Sequence, residues 1–407
     1  MRRGHVIYAD MAQGHVARAA APSARTAAGG DVGVSVRPTQ ARIDTSALEH
    51  NMERVQQHVG ATCRVLAVVK ADAYGHGAAT AARAFVQAGA WGLAVSLVEE
   101  GIELREAGIG APVVVLGGVP PTAAEVIVHR RLTPVVWTTD HLEHLSGAVS
   151  RTGARPLPVH VKIDTGMSRL GVLPEDLTPL IDWFCRDRGQ TLLLQGVMTH
   201  LASADDMLDE LTTKRQLTSF EHCLQTFSAR GLQPTFRHAA NSAALVRFRS
   251  ARFDMVRPGI ALYGGGSCRE VQMPNLRGAM TVRSRILALR ELPAGSRISY
   301  GGAHQLQRDS LLAVVPVGYA DGYPRNMSGK AQMLVRGHRC RVLGNITMDT
   351  SMLDVTVIPG VRIGEEVTLL GEHGPGRIDV FEMADWAGTI PYEVTCGISK
   401  RVPRYPG

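Results

Sequence analysis

The chain has 407 residues, enough for two domains, and its 45% hydrophobic and 5% aromatic content is ordinary for a water-soluble globular protein. A formal net charge of +7 comes from scattered arginines with no basic run or aromatic-interleaved patch, which argues against nucleic acid as a partner. No uncharged apolar window reaches membrane-spanning length, and six widely spaced cysteines without a Cys-x-x-Cys pair suit a reducing, cytoplasmic setting with no metal site.

Residues 1–38 hold several arginines, few acids and no continuous apolar stretch of the secretory type, and are expected as a disordered N-terminal extension. A helix over Thr45–Val59 follows, with Asp44 or Thr45 as its N-cap. Eight strand-like runs come next: Arg64–Lys70, Trp91–Leu97, Pro112–Leu116, Pro134–Trp137, Pro158–Asp164, Leu192–His200, Thr235–Asn241 and Asp254–Tyr263. Helical patterns fill most of the gaps, at Ala78–Gly89, Leu97–Ala107, Thr122–Arg131, Asp140–Ser150, Glu175–Arg188 and Thr212–Gly231. Eight βα repeats predict an α/β fold of the (β/α)8 TIM-barrel type over residues 39–275. Beyond that, short β-like runs separated by Gly, Pro and Asp turns, with one clear helix at Ile378–Ala387, predict a separate β-rich C-terminal domain over 276–407.

Barrel chemistry gathers at the C-terminal ends of the strands. The first strand runs through Val65-Leu66-Ala67-Val68-Val69 and stops at Lys70, ahead of Tyr74, Gly75 and Gly77. A lysine so placed is poorly solvated, which frees its amine for Schiff-base chemistry. The glycine turn into a helix beside it reads as a phosphate site. Amine and phosphate site together suggest pyridoxal phosphate (PLP), although a lysine at a strand end can equally snorkel to solvent. Other strands end at Lys162 and Arg169, at Thr199-His200, at His238-Ala239-Ala240-Asn241-Ser242, and at Arg257-Pro258-Gly259-Ile260. Singly, each could be a capped turn; together they suggest a site.

These strings resemble, in order, the motifs of the alanine racemase family. The likeness begins at Val68–Gly77, includes Val159–Gly171, and continues through Ser299-Tyr300-Gly301, Gly318–Tyr323, Gly344–Asp349, Pro391-Tyr392-Glu393-Val394 and Arg401–Arg404, covering about residues 39 to 405. The resemblance implies a PLP barrel followed by a β domain, acting on alanine as a homodimer with shared active sites and supplying D-alanine for peptidoglycan. It implies Lys70 as cofactor lysine and one base at the substrate α-carbon, with Tyr300 of the other subunit as the second base. Tyr74, Ser242, Gly259, Ile260 and Tyr392 would hold the cofactor phosphate, with Asn241 ordering the turn. Arg257 would face the pyridine nitrogen, and His200 together with Arg257 would supply a hydrogen-bonded network to the Tyr300 phenol. Arg169 would reach the cofactor ring oxygen and the substrate carboxylate, which Met348 would also bind. Lys162 matches a lysine often carbamylated in the family, and Asp205 and Tyr319 match positions in the access corridor. Thr347 stands where the family frequently has cysteine, which keeps a broader amino-acid racemase, on serine for instance, as the alternative.

Overall fold

The apolar runs between residues 64 and 256 form eight parallel strands in the computed structural model, which describes residues 36–407. The ladder runs from Phe236–His238 through Leu192–Met198, Leu157–Lys162, Thr133–Val136, Val113–Val115, Gly92–Val95 and Arg64–Val68 to Met255–Val256. Strands such as Gly92–Val95, Val113–Val115 and Thr133–Val136 are buried along their whole length. That is why they read as continuous apolar runs rather than alternations. The first and last strands of the ladder are stitched by two backbone bonds, Asp254 N–H to the Arg237 carbonyl (3.1 Å) and Arg257 N–H to the Ala240 carbonyl (2.9 Å), which close the barrel.

The eighth run is shorter than its pattern predicts. Only Met255–Val256 is a strand, because Pro258 has no N–H to give to a ladder, and Ile260–Tyr263 coils into a 3-10 turn. That break puts Gly259 and Ile260 at the barrel mouth.

The second domain carries a sheet built on Met280–Arg285, Glu366–His373, Gln332–Val335 and His338–Arg341, and a three-stranded sheet of Ala288–Leu292, Ser310–Val315 and Ser351–Asp354. Gln40–Ile43 joins the larger sheet, antiparallel to Met280–Arg285 and parallel to Arg404–Pro406. Among the described residues the chain therefore enters through this sheet, leaves to build the barrel, and returns. Asp44 caps the helix Thr45–Val59 that leads into the barrel, its side chain accepting from Ala47 N–H. The expected extension 1–38 lies outside the described residues as far as residue 35. At its end, Arg37 pairs with the buried Asp321 at 2.6 Å. A second helix, Pro391–Gly397, accompanies Val380–Ala387, where the sequence predicts one helix only. Val394 and Thr395, both β-branched, mask its helical character, and packing overrides them.

Candidate active site

The C-terminal strand ends of the barrel surround a cavity of about 390 Å³. Lys70, Tyr74, Lys162, Arg169, His200, Asn241, Ser242, Arg257, Gly259, Ile260 and Tyr392 all line it. Eleven residues spread over more than 300 positions are thus brought to one place, ten of them by the ends of barrel strands or the segments that follow them, and Tyr392 by the helix Pro391–Gly397 of the second domain. Tyr300 and Met348 do not line it.

Lys70 opens an unusual turn. Ala71 to Tyr74 have φ between 53 and 54° and ψ between 38 and 53°, one turn of left-handed helix without a glycine in it. Each such residue costs about 1–2 kcal/mol against the right-handed form, so the surroundings must enforce it. Glu100 does so from the first turn of the helix Val98–Glu106: its Oε1 accepts Ala71 N–H at 2.6 Å, and its Oε2 accepts the N–H groups of Ser96 and Leu97 at 2.7 and 3.0 Å. From the far end of the chain, Arg404 Nε donates to the Gly75 carbonyl at 3.0 Å. A β-carbon on Gly75 would collide with the Thr395 carbonyl. Sequence reading passes over Glu100, although a glutamate at the third position of a helix is a recognised capping signal.

The helix after this turn does not offer the phosphate site that its glycines suggest. Asp72 Oδ1 already accepts Ala78 N–H at 2.7 Å, so the protein's own carboxylate occupies that N-terminus. Anion donors lie across the cavity instead. There Ser242 Oγ accepts Gly259 N–H at 2.9 Å, and Asn241 caps Ser242–Arg247 by accepting Ala244 N–H at 2.9 Å. A β-carbon on Gly259 would collide with the Tyr74 hydroxyl. Tyr74 packs its ring against Tyr263 and Tyr392, with centroids 5.1 and 5.9 Å apart, and burial raises its pKa, so it is a hydroxyl donor at all ordinary pH.

Asp164 shapes the Arg169 loop. Its Oδ1 accepts from Gly166, Met167 and Ser168 N–H at 2.8–3.0 Å, and its Oδ2 from Arg169 N–H at 3.1 Å. Burial alone would raise its carboxyl, but these four donors outweigh it and hold the group below the ordinary carboxylate range.

The site carries a dense positive charge. Burial, then the neighbouring Arg169, lowers the Lys70 pKa. Burial, then Arg257 and Arg169, brings Lys162 down to about 8. His200, buried beside Arg257, falls to about 3 and is neutral. Arg257 itself is lowered by burial to about 9, so it is charged at neutral pH. Three backbone carbonyls, of Thr199, His238 and Ala239, accept from its Nη atoms at 2.7–3.0 Å.

Tyr300, Tyr319 and Met348 sit on the second domain, 75%, 42% and 52% exposed. Their loops are tied together: Asn345 Nδ2 donates to the Tyr300 carbonyl at 3.0 Å, Tyr319 N–H to Thr347 at 3.0 Å, and Ala320 N–H to Met348 at 3.1 Å. Thr347 accepts Thr350 N–H at 3.0 Å, and its hydroxyl lies 2.9 Å from the Thr350 carbonyl and hydroxyl oxygens.

A closed barrel with a desolvated lysine at the end of its first strand, facing arginines and hydroxyl donors, defines a barrel enzyme of the amine-chemistry class. The family model for the alanine racemase N-terminal domain matches residues 43–267, and that for the C-terminal domain matches residues 279–406. The alanine racemase of Halothermothrix orenii is 42% identical over 369 residues, covering 90% of this chain and 96% of its own. Among solved structures, alanine racemase from the D-cycloserine-producing Streptomyces lavendulae superposes with a TM-score of 0.87 at 33% identity, covering 92% of this chain and 98% of that one. Alanine racemase from Bartonella henselae, crystallised with covalently bound pyridoxal phosphate, has a TM-score of 0.81 at 30% identity over 91% of this chain and 99% of its own. The chain belongs to the alanine racemase family.

Proposed function

We propose that this enzyme interconverts L- and D-alanine with pyridoxal phosphate, using Lys70 and Tyr300 as bases on opposite faces of the substrate, and that it supplies D-alanine for bacterial peptidoglycan in the cytoplasm. The observation that carries this reading is the cavity itself, where an amine of lowered pKa faces a charged guanidinium and a cluster of hydroxyl and N–H donors. Six free cysteines, and the absence among the described residues of any helix long and apolar enough to cross a membrane, accord with that setting. The proposed division is a barrel up to about residue 275 and a β domain from 276 to 407 that also takes in the strand Gln40–Ile43; family matches over 43–267 and 279–406 support a boundary between 267 and 279.

The residues suit the cofactor. Tyr74, Ser242, Tyr392 and the backbone N–H groups of Gly259 and Ile260 would hold its phosphate, Asn241 would order their turn, and Arg257 would face its ring nitrogen. When bound, pyridoxal phosphate supplies an aldehyde for amine exchange and a conjugated ring that accepts the electron pair of the substrate Cα–H bond. Lys70 holds the cofactor between turnovers and, once displaced by substrate, moves a proton at Cα from one face. Arg257 is a permanent donor and never an acceptor, so it leaves the ring nitrogen unprotonated and limits electron delocalisation. His200, neutral beside Arg257, extends that network. Arg169 pairs the substrate carboxylate, helped by the backbone N–H of Met348. Gly259→Ala is expected to weaken cofactor affinity about ten-fold or more, because the new methyl displaces the Tyr74 hydroxyl; cofactor titration of the apoenzyme measures it.

Lys162 would act as a carbamate, an anion that pairs Arg169. Its lowered pKa favours the neutral amine that reacts with carbon dioxide. In carbon dioxide-free buffer the unmodified lysine has a definite signature. The unfolded chain keeps its proton up to the ordinary value of 10.5, whereas the folded chain releases it near 8. The unfolded state therefore binds more protons between these values, and stability rises with pH across that window. Urea titrations of the wild type and Lys162→Met at several pH values check this: the variant is expected to lose that part of the slope.

Shared sites in a homodimer are proposed from the family resemblance and from the exposed second-domain patch with Tyr300 and Met348, neither of which lines the cavity of its own chain. The Thr347 hydroxyl is engaged within its own loop, so nothing in its contacts favours the broader, serine-accepting alternative. Incubation with each L-amino acid in deuterated water, following α-proton exchange and enantiomer formation, tests the activity. No exchange with alanine would end this reading.

A further inference from the structure

Behind Arg257, away from the cavity, a chain of side chains runs through the barrel from the buried His238 and His160 to the half-buried Gln195. Arg257 Nη1 lies 2.9 Å from His238 Nδ1, His238 Nε2 lies 2.9 Å from His160 Nδ1, and His160 Nε2 lies 3.2 Å from Gln195 Oε1. Both histidine residues have no solvent exposure. A donor at the Arg257 end and an acceptor at the Gln195 end set one direction for every bond in this chain. A guanidinium only donates, so His238 Nδ1 must accept and its proton must sit on Nε2. That proton faces His160 Nδ1, which must accept in turn, so the His160 proton also sits on Nε2. There it meets the oxygen of Gln195. If the Gln195 amide turned its NH₂ to His160 instead, the proton of each ring would move to Nδ1, and the His238 N–H would oppose the Arg257 donor.

The fold makes room for this arrangement. Gly196 follows Gln195 on the strand Leu192–Met198, and a β-carbon there would lie 2.7 Å from the His160 ring. Burial keeps both rings neutral: His160 falls to about 4 and His238 lies well below the ordinary value. The Nη atoms of Arg257 then face His238 Nδ1 and the carbonyls of His238, Thr199 and Ala239 at 2.7–3.0 Å, with His200 Nδ1 farther off at 3.5 Å. Among the described residues its Nε–H has no acceptor, and the Arg257 side chain lines the cavity.

We propose that Gln195 is a positioning residue: by accepting the His160 Nε2 proton it closes the relay that Arg257 opens, stabilises the two tautomers that the guanidinium requires, and so holds Arg257 with its Nε–H as the donor presented to the cofactor ring nitrogen. This rests on the proposed cofactor-dependent racemisation for its catalytic consequence, but not for the tautomers themselves. In Gln195→Leu, His160 loses the acceptor that pins its proton, and both ring tautomers become accessible.

Nitrogen NMR of ¹⁵N-histidine-labelled holoenzyme reads the tautomers, with His160→Asn and His238→Asn spectra giving the assignment. The expected wild-type result is an Nε2–H signature at both rings. A proton on Nδ1 of either ring in the wild type overturns the proposal without any Gln195 variant. Gln195→Leu is expected to show mixed tautomers at His160 and a kcat for alanine lowered about ten-fold, with KM changed less than about two-fold because the carboxylate contacts are untouched. Gln195→Glu keeps an acceptor and is expected to restore the Nε2–H signature and most of kcat. Unchanged tautomers in Gln195→Leu, or changed tautomers with unchanged kcat, each overturn the proposal. If the wild type racemises no amino acid, the proposed function fails, while the wild-type spectrum still decides whether the relay exists.

Discussion

Replacing Lys70 with alanine is expected to lower kcat for alanine racemisation at least about 10³-fold, equal to about 4 kcal/mol of transition-state stabilisation. Two features set this size. Lys70 lines the cavity at the end of a buried strand, where burial and then Arg169 lower its pKa, which favours the free amine that acts as nucleophile and base. The left-handed turn from Ala71 to Tyr74 then fixes where that amine stands relative to the Tyr74 hydroxyl. No nearby group can substitute: Lys162 is the other lysine lining the cavity, and it stands on a different strand. Borohydride treatment of the holoenzyme followed by peptide mass spectrometry is expected to place the cofactor on the Lys70 peptide in the wild type and nowhere in the variant. A small primary amine added to Lys70→Ala should return part of the activity, because the missing group is only a base and an exchange partner. Activity within about ten-fold of the wild type in unsupplemented Lys70→Ala would remove Lys70 from the reaction.

The barrel was legible because its strands are buried on both faces and carry runs such as Val113-Val114-Val115 and Leu66-Ala67-Val68. Lys70 was legible for the same reason, as a charge ending an apolar run. The turn it opens was not. Ala71, Asp72, Ala73 and Tyr74 have no local preference for left-handed dihedrals, and what holds them comes from Glu100 and from Arg404, 329 residues from Gly75. Likewise, the glycine turn suggests a phosphate site only until Asp72 is seen to cap the helix, a contact within the same motif that spacing alone does not reveal. Gln40–Ile43 is a short half-buried segment whose partners lie some 240 and 360 positions away, so no local pattern marks it as a strand of the second domain. Tyr300 has no physical signal in the sequence: it is an exposed aromatic at a turn, and its role comes from the family resemblance alone.

That exposure leads to the sharpest expectation for the assembly. Tyr300 stands 75% exposed on the second domain and does not line the cavity that holds Lys70, which suits the proposed homodimer, in which the two bases of a site come from different copies of the chain. A closed pair of such copies has two equivalent sites, each with Lys70 from one subunit and Tyr300 from the other. Tyr300→Phe alone should abolish most racemisation but affect the two proton-transfer directions unequally, since one face keeps its lysine. Mixing Lys70→Ala with Tyr300→Phe under conditions that exchange subunits then gives a prediction that depends only on geometry. In the mixed dimer one site receives both defects and the other receives neither. Random pairing makes about half of the dimers mixed, so about a quarter of all sites are intact and about a quarter of wild-type activity should return. Sites formed within one chain would give no recovery, because each subunit would carry its own defect. Size-exclusion chromatography before and after mixing shows that subunits remain paired, and activity without recovery under verified exchange would place Tyr300 outside the shared site.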